Sequence, residues 1–380
     1  MKSILQKDLW SITSFLENKK YNFNKENILT QLPEKFIDEA ILAISSWDNY
    51  APTPLIKLNK LNDELKFKNI YYKDEDKRFE LKSFKALGGA FAVYKIASEK
   101  KDITVSTATA GNHGRSVAWG AQRLGLKCKI FISEFVSESR AEAMRKLDAE
   151  VIRVKGNYDN SLKECIKQSK ENNWEIVQDV SWEGYKEVPK LIMAGYTIMV
   201  KEILDELKSN SITHVFLQAG VGGMAAAMIA GFAKLSKNIP KFITVEPENA
   251  DCVFQSIKNN KPTTVDIKKE TIMGGMSCGD VSSIAWEILK NSTNYCLTVP
   301  DEAISTTVAL LAEKHLSDEK IIAGECAVPG IIALIGSFNN KEYLDKLGLN
   351  EQSNVLLFGC EGLTDNAMYQ KLLNDGLQKI

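Results

Sequence analysis

The chain has 380 residues, of which 44% are hydrophobic, and its formal net charge at pH 7 is -1. This length and hydrophobic share are typical of a globular protein with one large or two ordinary domains. The balanced charge does not indicate binding to nucleic acid or to an anionic membrane. No apolar run is long enough to cross a bilayer, and residues 1–8 lack the apolar core of a secretory signal. We therefore expect a cytoplasmic protein.

The cysteines and histidines are scattered, which argues against a metal site. None of the seven cysteines forms a Cys-x-x-Cys pair, and an odd number of dispersed cysteines fits a reducing compartment. The three histidines are His113, His214 and His315. We predict no bound metal. The sequence leaves open whether Cys252 and Cys278 meet in a disulfide.

The first part of the chain is mostly polar. A helical pattern covers residues 36–47. Pro52-Thr53-Pro54 then predicts an extended turn, because each proline disfavours helix at the residue before it. A strand is predicted over 70–73 and a helix over 86–97.

Strands and helices alternate in the rest of the chain. Strands are predicted over 103–107, 129–132, 151–154, 175–178, 215–218 and 242–245, and helices over 113–124, 137–147, 160–171, 189–207 and 224–235. This alternation is typical of parallel sheets covered by helices, so the predicted fold class is α/β. We predict two domains, a large discontinuous one of residues 1–90 and 200–380 and a small one of residues 91–199.

Lys85 is the first candidate for chemistry. It follows Phe84 directly and precedes a helix-compatible run that contains Gly88 and Gly89. A lysine partly removed from water readily loses its proton, and the neutral amine is a nucleophile for an aldehyde. On its own the motif fits an ordinary solvated lysine near a helix start better, because lysine is almost never buried without a partner.

The first loop with possible chemistry covers residues 106–115, between a predicted strand and a predicted helix. Backbone N–H groups at a helix start form an anion site that a substrate carboxylate would fill. An ordinary N-cap turn is the alternative. His113 fits a loop-orienting residue better than a metal ligand. The candidate substrate-binding residues are Thr109, Ala110, Gly111, Asn112 and His113.

The second loop follows the predicted strand 215–218, and its glycines would cradle a phosphate. The same loop also matches the dinucleotide fingerprint G-x-G-x-x-G/A, with Glu246 at the position of a ribose-binding acid. A nicotinamide dehydrogenase is therefore an alternative. The phosphate-binding candidates are Gly220, Val221, Gly222, Gly223 and Met224.

The third loop, residues 357–362, places Cys360 just after a predicted strand. Its thiol would face a ring nitrogen, or it would be a small apolar core residue.

Three of these motifs together resemble the fold type II pyridoxal-phosphate enzymes, which include the serine and threonine dehydratases. The motifs are Ser83-Phe84-Lys85, Gly111-Asn112-His113-Gly114 and the glycines at 220–223. Further stretches look like the diaminopropionate ammonia-lyase subfamily. They are Trp182-Glu183-Gly184-Tyr185, residues 192–196, residues 245–252, residues 271–279 and Gly324-Glu325. The resemblance covers residues 50–370 and implies two three-layer α/β domains with the active site between them.

The resemblance also implies roles for individual residues. Lys85 would hold pyridoxal 5'-phosphate covalently, Phe84 would pack near its ring, and Asn112 would bond the ring hydroxyl. The loop from Gly220 to Met224 would wrap the phosphate. Cys360 would face the pyridine nitrogen, and a neutral partner there favours β-elimination over transamination.

The implied reaction is α,β-elimination, which would convert 2,3-diaminopropionate to pyruvate and ammonia. Lys85 would take the Cα proton. Asp179 matches an acid of the subfamily and would hold the distal ammonium of the substrate and supply a proton to the leaving amine. Without the resemblance, Asp179 reads equally well as a strand-end cap.

The chain departs from the subfamily at Ala110, where an aspartate thought to take the Cα proton of the D-isomer is common. Alanine has no basic group, so we expect a preference for the L-isomer. The departure keeps other readings open. These are an L-serine or L-threonine dehydratase, a lyase for another β-substituted alanine, and a catalytically altered regulatory protein. By analogy with the fold we expect a homodimer with a small amino-acid substrate and no nucleic-acid or membrane partner.

Overall fold

The computed structural model of the chain describes residues 2–5, 8–208 and 211–380. The strands are β1 (Ser14–Glu17), β2 (Leu55–Lys57), β3 (Asn69–Asp74), β4 (Thr104–Ala108), β5 (Lys127–Ser133), β6 (Glu150–Val154), β7 (Glu175–Ile176), β8 (His214–Gln218), β9 (Lys241–Pro247), β10 (Tyr295–Val299) and β11 (Asn354–Gly359). The helices are α1 (Lys2–Leu5), α2 (Lys25–Gln31), α3 (Glu34–Ser45), α4 (Asn59–Leu65), α5 (Lys85–Glu99), α6 (Asn112–Arg123), α7 (Glu138–Arg145), α8 (Tyr158–Asn172), α9 (Glu187–Tyr196), α10 (Ile198–Leu207), α11 (Gly223–Leu235), α12 (Cys252–Asn259), α13 (Ser283–Ser292), α14 (Ile304–Ala312), α15 (Pro329–Asn339), α16 (Lys341–Leu347) and α17 (Asn366–Leu377).

The described residues form two compact units. The first unit takes its residues from Met1–Gln31, Pro52–Lys77 and Met199–Ile380, and the second from Leu32–Ala51 and Arg78–Ile198. The change of unit at residue 199 lies next to the predicted domain limit. Residues 32–51 and 78–90, which we expected in the larger domain, group with the second unit instead.

The first unit is built on a seven-stranded sheet with the order β1-β10-β9-β8-β11-β3-β2. The five inner strands are parallel, and the edge strands β1 and β2 pair antiparallel with their neighbours. Every residue of β8 and β11 is buried, as expected for central strands covered on both faces. Helices α11, α12 and α15 pack against this sheet.

The second unit is built on a four-stranded parallel sheet with the order β6-β5-β4-β7. Its core contains Ala108, Phe131 and Cys165, and Ile152 and Trp174 pack against them. The predicted α/β class with parallel sheets is confirmed. Among the described residues, no helix has the length and hydropathy that a membrane crossing requires.

Several predicted elements differ from the observed ones. The helical stretch 189–207 is two helices, α9 and α10, interrupted at Thr197. The predicted strand 175–178 ends at Ile176, because the Gln178 side chain takes over the partners that a continuing strand would use. Strand β1 and helix α2 lie in the N-terminal part for which only the helix at 36–47 was predicted.

The segment before Lys85 contains residues with left-handed backbone. Phe79, Glu80 and Lys82 have φ angles of 46°, 61° and 60°. An L-residue in this region costs about 1–2 kcal/mol because Cβ crowds the carbonyl oxygen, and glycine avoids the cost. The strain lies three to six residues before the candidate nucleophile, Lys85.

We expect Glu80→Gly to stabilise the protein, because Glu80 is exposed and its side chain can be removed without leaving a cavity. The free energy gained by relieving the backbone strain should exceed the free-energy cost of the greater flexibility of glycine in the unfolded chain by roughly 0.5–1 kcal/mol. Thermal unfolding measures this as a higher melting temperature. The matched control is Lys163→Gly at an exposed position of α8, which should lose about 1 kcal/mol. A lower melting temperature for Glu80→Gly would contradict the strain argument.

Candidate active site

Lys85 is the first residue of α5. Its backbone N–H donates to the Ser83 hydroxyl at 3.3 Å, which satisfies one of the free donors at the helix start. Its side chain is 25% exposed, and its ammonium forms an ion pair with the Asp179 carboxylate. The amine is therefore sheltered but still open to a ligand.

Two aromatic rings adjoin the Lys85 amine. The Nζ atom lies 5.5 Å from the ring centre of Phe84 and 6.0 Å from that of Tyr196. The two rings are 4.7 Å apart and inclined at 61°. Helices α5 and α9 approach closely because Gly88 has no side chain, and a Cβ there would lie 2.4 Å from the Tyr196 ring. This contact fixes Tyr196 beside Lys85.

Asp179 lies between two possible cations. Burial alone would raise the pKa of its carboxyl, but the positive charge that His113 can carry, the charge of Lys85 and the hydrogen bond from Lys85 outweigh burial and hold that pKa below its usual range. His113 Nδ1 is 3.8 Å from the carboxylate. Because burial lowers the pKa of His113, the lasting positive charge beside Asp179 is the Lys85 ammonium.

His113 is oriented by the chain segment that leads to Asp179. Its Nε2 atom is 2.7 Å from the carbonyl oxygen of Val177 and donates to it in the neutral ring. This leaves Nδ1 facing Asp179, buried and without a hydrogen bond. The loop-orienting role that the sequence suggested for His113 fits this arrangement.

The first loop is shaped by Thr109. Its hydroxyl oxygen accepts hydrogen bonds from the N–H groups of Gly111 at 3.0 Å and Gly114 at 3.2 Å. Two amides that we expected to be free for a carboxylate are thus occupied within the loop. Ala110 is exposed, and Asn112 is the first residue of α6.

One residue of this loop region was missed by the sequence reasoning. The Arg140 guanidinium on α7 lies 3.4 Å from the Ala110 carbonyl oxygen and donates to it. Sequence spacing gave no signal for it, because α7 reaches the loop only through the folding of the second unit.

The glycine loop in the first unit joins β8 to α11. Gly222 has φ of 88°, and a Cβ there would lie 2.8 Å from Leu289, so this position requires glycine. The space at Gly223 is open, because a Cβ there would have no described residue within 4 Å other than its chain neighbours and the backbone of its own helix. Open space at the start of a 13-residue helix fits a phosphate group.

Glu246 does not offer the acid that a dinucleotide site needs. It is fully buried, and its carboxylate accepts hydrogen bonds from the N–H groups of Val253 at 2.8 Å and Phe254 at 2.7 Å. Glu246 therefore caps helix α12. Its carboxylate is not available to bind a ribose, which argues against the nicotinamide dehydrogenase alternative.

Cys360 follows β11 and is 4% exposed. Its thiol donates to the Cys326 carbonyl oxygen at 3.1 Å, so it is a neutral group at the carboxyl end of the sheet. All seven cysteines are free thiols, including Cys252 and Cys278. One ligand atom each from Glu325, Cys326 and Glu361 lies within 4.8 Å of the others, in a buried group that sequence spacing did not predict.

The candidate residues thus form two groups. The second unit brings Phe84, Lys85, His113 and Asp179 together, although Asp179 lies 94 positions after Lys85 in the sequence. The first unit contains the glycine loop and Cys360. There the Gln218 amide donates to the carbonyl of Phe358, close to Cys360, and to that of Cys326 at 3.2 Å.

Comparison with known proteins identifies the family. Residues 47–358 match the family described as pyridoxal-phosphate dependent enzyme. The diaminopropionate ammonia-lyase of Escherichia coli K12 is 32% identical over 95% of this chain and 96% of its own length. That of Salmonella typhimurium is 35% identical over 86% of this chain and 89% of its own.

Solved structures agree with this result. The E. coli diaminopropionate ammonia-lyase in complex with D-serine has a TM-score of 0.90 and 31% identity, over 97% of this chain and 99% of that one. The same enzyme in complex with an aminoacrylate-PLP azomethine reaction intermediate has a TM-score of 0.89 and 32% identity, with the same coverage. The chain has the fold type II architecture and belongs to the pyridoxal-phosphate-dependent enzymes, within the diaminopropionate ammonia-lyase group.

Proposed function

We propose that the protein eliminates ammonia from 2,3-diaminopropionate, with the L-isomer preferred, to give pyruvate and ammonia. The observation that carries this proposal is the Lys85–Asp179 ion pair, which places a nucleophilic amine beside a carboxylate able to hold a second ammonium. A carboxylate of low pKa stays charged at neutral pH. It therefore favours a substrate with a distal positive charge over one with a hydroxyl.

Pyridoxal 5'-phosphate, when bound, supplies the electron sink for the charge left at Cα. In our proposal Lys85 attaches it covalently, Phe84 packs near its ring, and Asn112 bonds the ring hydroxyl. The loop from Gly220 through Val221, Gly222 and Gly223 to Met224 holds the phosphate. The Cys360 thiol would be the group near the pyridine nitrogen. The open space at Gly223 and the neutral Cys360 thiol support these assignments.

The remaining steps belong to side chains of the chain. With the substrate bound, the Lys85 amine would take the Cα proton. Asp179 keeps the distal amine protonated, so that the Cβ–N bond breaks with its electron pair on neutral ammonia. The loop of Thr109, Ala110, Gly111, Asn112 and His113 receives the substrate carboxylate.

The test is release of the 2-oxo acid from purified protein offered four amino acids in parallel. Pyruvate is measured with L-diaminopropionate, D-diaminopropionate and L-serine, and 2-oxobutyrate with L-threonine. We expect fast release from the L-diamine only. Release from serine or threonine alone would move the protein to the dehydratases. Equal turnover of the D-diamine would show that the missing aspartate at residue 110 does not set the stereochemistry.

We expect Ala110→Asp to gain D-diaminopropionate turnover, because it restores an acid on an exposed part of the loop. Proton abstraction by a positioned side chain contributes about 10²–10⁴-fold, so the gain should be clear above background. The measurement is the ratio of D- to L-turnover. Ala110→Asn is the matched control and should gain nothing. An unchanged ratio in Ala110→Asp would contradict the role of this position.

We further propose that the protein works in the cytoplasm as a homodimer. The dispersed free thiols support the compartment. Analytical ultracentrifugation at micromolar concentration measures the assembly, and a monomer of 42.4 kDa would contradict the dimer.

A further inference from the structure

Asp179 follows a strand that is too short to fix it. Strand β7 has two residues, and its pairing with β4 has the register Val105↔Glu175 and Ser106↔Ile176. The Val177 N–H adds one hydrogen bond to the Ser106 carbonyl at 2.8 Å. The residues that lead directly into Asp179 therefore depend on side chains for their position.

The Gln178 side chain continues the pairing in place of the backbone. Its Oε1 accepts from the Ala108 N–H at 3.0 Å and from the Thr107 hydroxyl at 2.9 Å. Its Nε2 donates to the Ala108 carbonyl and to the Tyr158 hydroxyl at 2.9 and 2.8 Å. The Gln178 side chain is fully buried, and its amide makes these four hydrogen bonds. Its amide mimics a strand residue opposite Ala108.

Tyr185 also holds residues 176–178 in place, through its side-chain hydroxyl. Its hydroxyl accepts from the Gln178 N–H and donates to the Ile176 carbonyl, each at 2.8 Å. A tight turn places the Tyr185 ring next to residues 176–178. In this turn Trp182 and Tyr185 exchange backbone hydrogen bonds, and their rings stack with centres 4.2 Å apart. Gly184 has φ of 81° in this turn, a backbone conformation that glycine adopts without strain.

We propose that the Tyr185 hydroxyl and the Gln178 amide are positioning groups, which hold the chain at residues 176–178 and thereby aim the Asp179 carboxylate at the Lys85 amine. This explains what the Trp182-Glu183-Gly184-Tyr185 motif does in the molecule. The inference rests on the proposed function, in which Asp179 holds the distal ammonium of the substrate. Tyr185 acts through Asp179 and touches no reacting atom.

The leaving group separates this role from a general loss of structure. A diamine needs its distal ammonium held by Asp179, whereas chloride leaves β-chloro-L-alanine as an anion and needs no carboxylate. A misplaced Asp179 should therefore slow the diamine far more than the chloride. A merely structural defect would slow both substrates to the same extent.

The experiment uses Tyr185→Phe, which keeps the stacked ring and removes only the hydroxyl. In the purified holoenzyme we expect kcat on L-diaminopropionate to fall about tenfold or more, since small misplacements cost up to 10²-fold, while kcat on β-chloro-L-alanine changes less than about threefold. Tyr295→Phe is the matched control. It removes a hydroxyl that donates to the Lys346 carbonyl at 2.6 Å, and both rates should stay unchanged.

Tyr158→Phe is the second variant, in case Tyr185→Phe folds poorly. It removes one partner of the Gln178 amide, so the same selective loss should appear in weaker form. Equal losses on both substrates, or no loss on the diamine in either variant, would overturn the inference. A wild-type holoenzyme that turns over β-chloro-L-alanine but not the diamine would overturn the proposed function, and the inference with it. That outcome is visible before any variant is made.

Discussion

Lys85→Ala should abolish turnover of every amino acid that the wild type accepts, with a loss of at least about 10³-fold, because it removes the group that we propose as both the covalent attachment point and the base for Cα. The protein should also lose the absorbance of covalently held pyridoxal phosphate. Denaturing mass spectrometry after borohydride reduction measures the attachment directly. It should find the added cofactor mass on the wild type and none on the variant.

Two controls make this result specific. Lys95→Ala removes another lysine of α5, whose ammonium pairs with Glu39 at 2.9 Å on the same unit, and should leave absorbance and rate unchanged. Removal of Lys85 also leaves Asp179 without its ion-pair partner, so some loss of stability is expected. A variant that keeps its bound cofactor absorbance and more than a tenth of the rate would contradict the assignment of Lys85.

The sequence was sufficient for features that depend on neighbouring residues. The strand–loop–helix order around Gly220 and around Asn112 follows from local hydrophobic runs and glycines, and both helices begin within one residue of the predicted start. The glycine that the loop after β8 requires at residue 222 also belongs to a local sequence pattern, although the contact with Leu289 that excludes a Cβ there is seen only in the structure.

Features that depend on distant residues could not be predicted in this way. Nothing near Lys85 in the sequence indicates that Asp179 would pair with it, and only the resemblance to a family suggested a role for that acid. The same is true of the short strand β7, whose continuation is taken over by the Gln178 side chain. The sequence also could not show that Glu246 caps a helix, because a ribose-binding acid and a helix-capping acid can occupy the same position at the end of a strand.

Asp179→Asn should lower kcat on L-diaminopropionate by about 10²-fold or more, since the neutral amide cannot hold the distal ammonium of the substrate as a charged partner. The loss should be much smaller on β-chloro-L-alanine. Asp205→Asn is the matched control, because Asp205 pairs with Lys201 at an exposed position of α10 and such pairs contribute little. Similar losses on the two substrates would indicate that Asp179 acts on the Cα proton rather than on the leaving amine.

The same variant has a pH signature in stability. The pKa of Asp179 is lower in the folded state than the value of about 3.9 for an unfolded aspartate. The carboxylate therefore stabilises the fold fully above that value, and the contribution disappears as the pH falls through and below it. Urea unfolding at pH 7, 4 and 3 should show a wild-type advantage over Asp179→Asn that shrinks toward low pH. An advantage that is constant over this range would mean that packing, and not the charge beside Lys85, makes Asp179 stabilising.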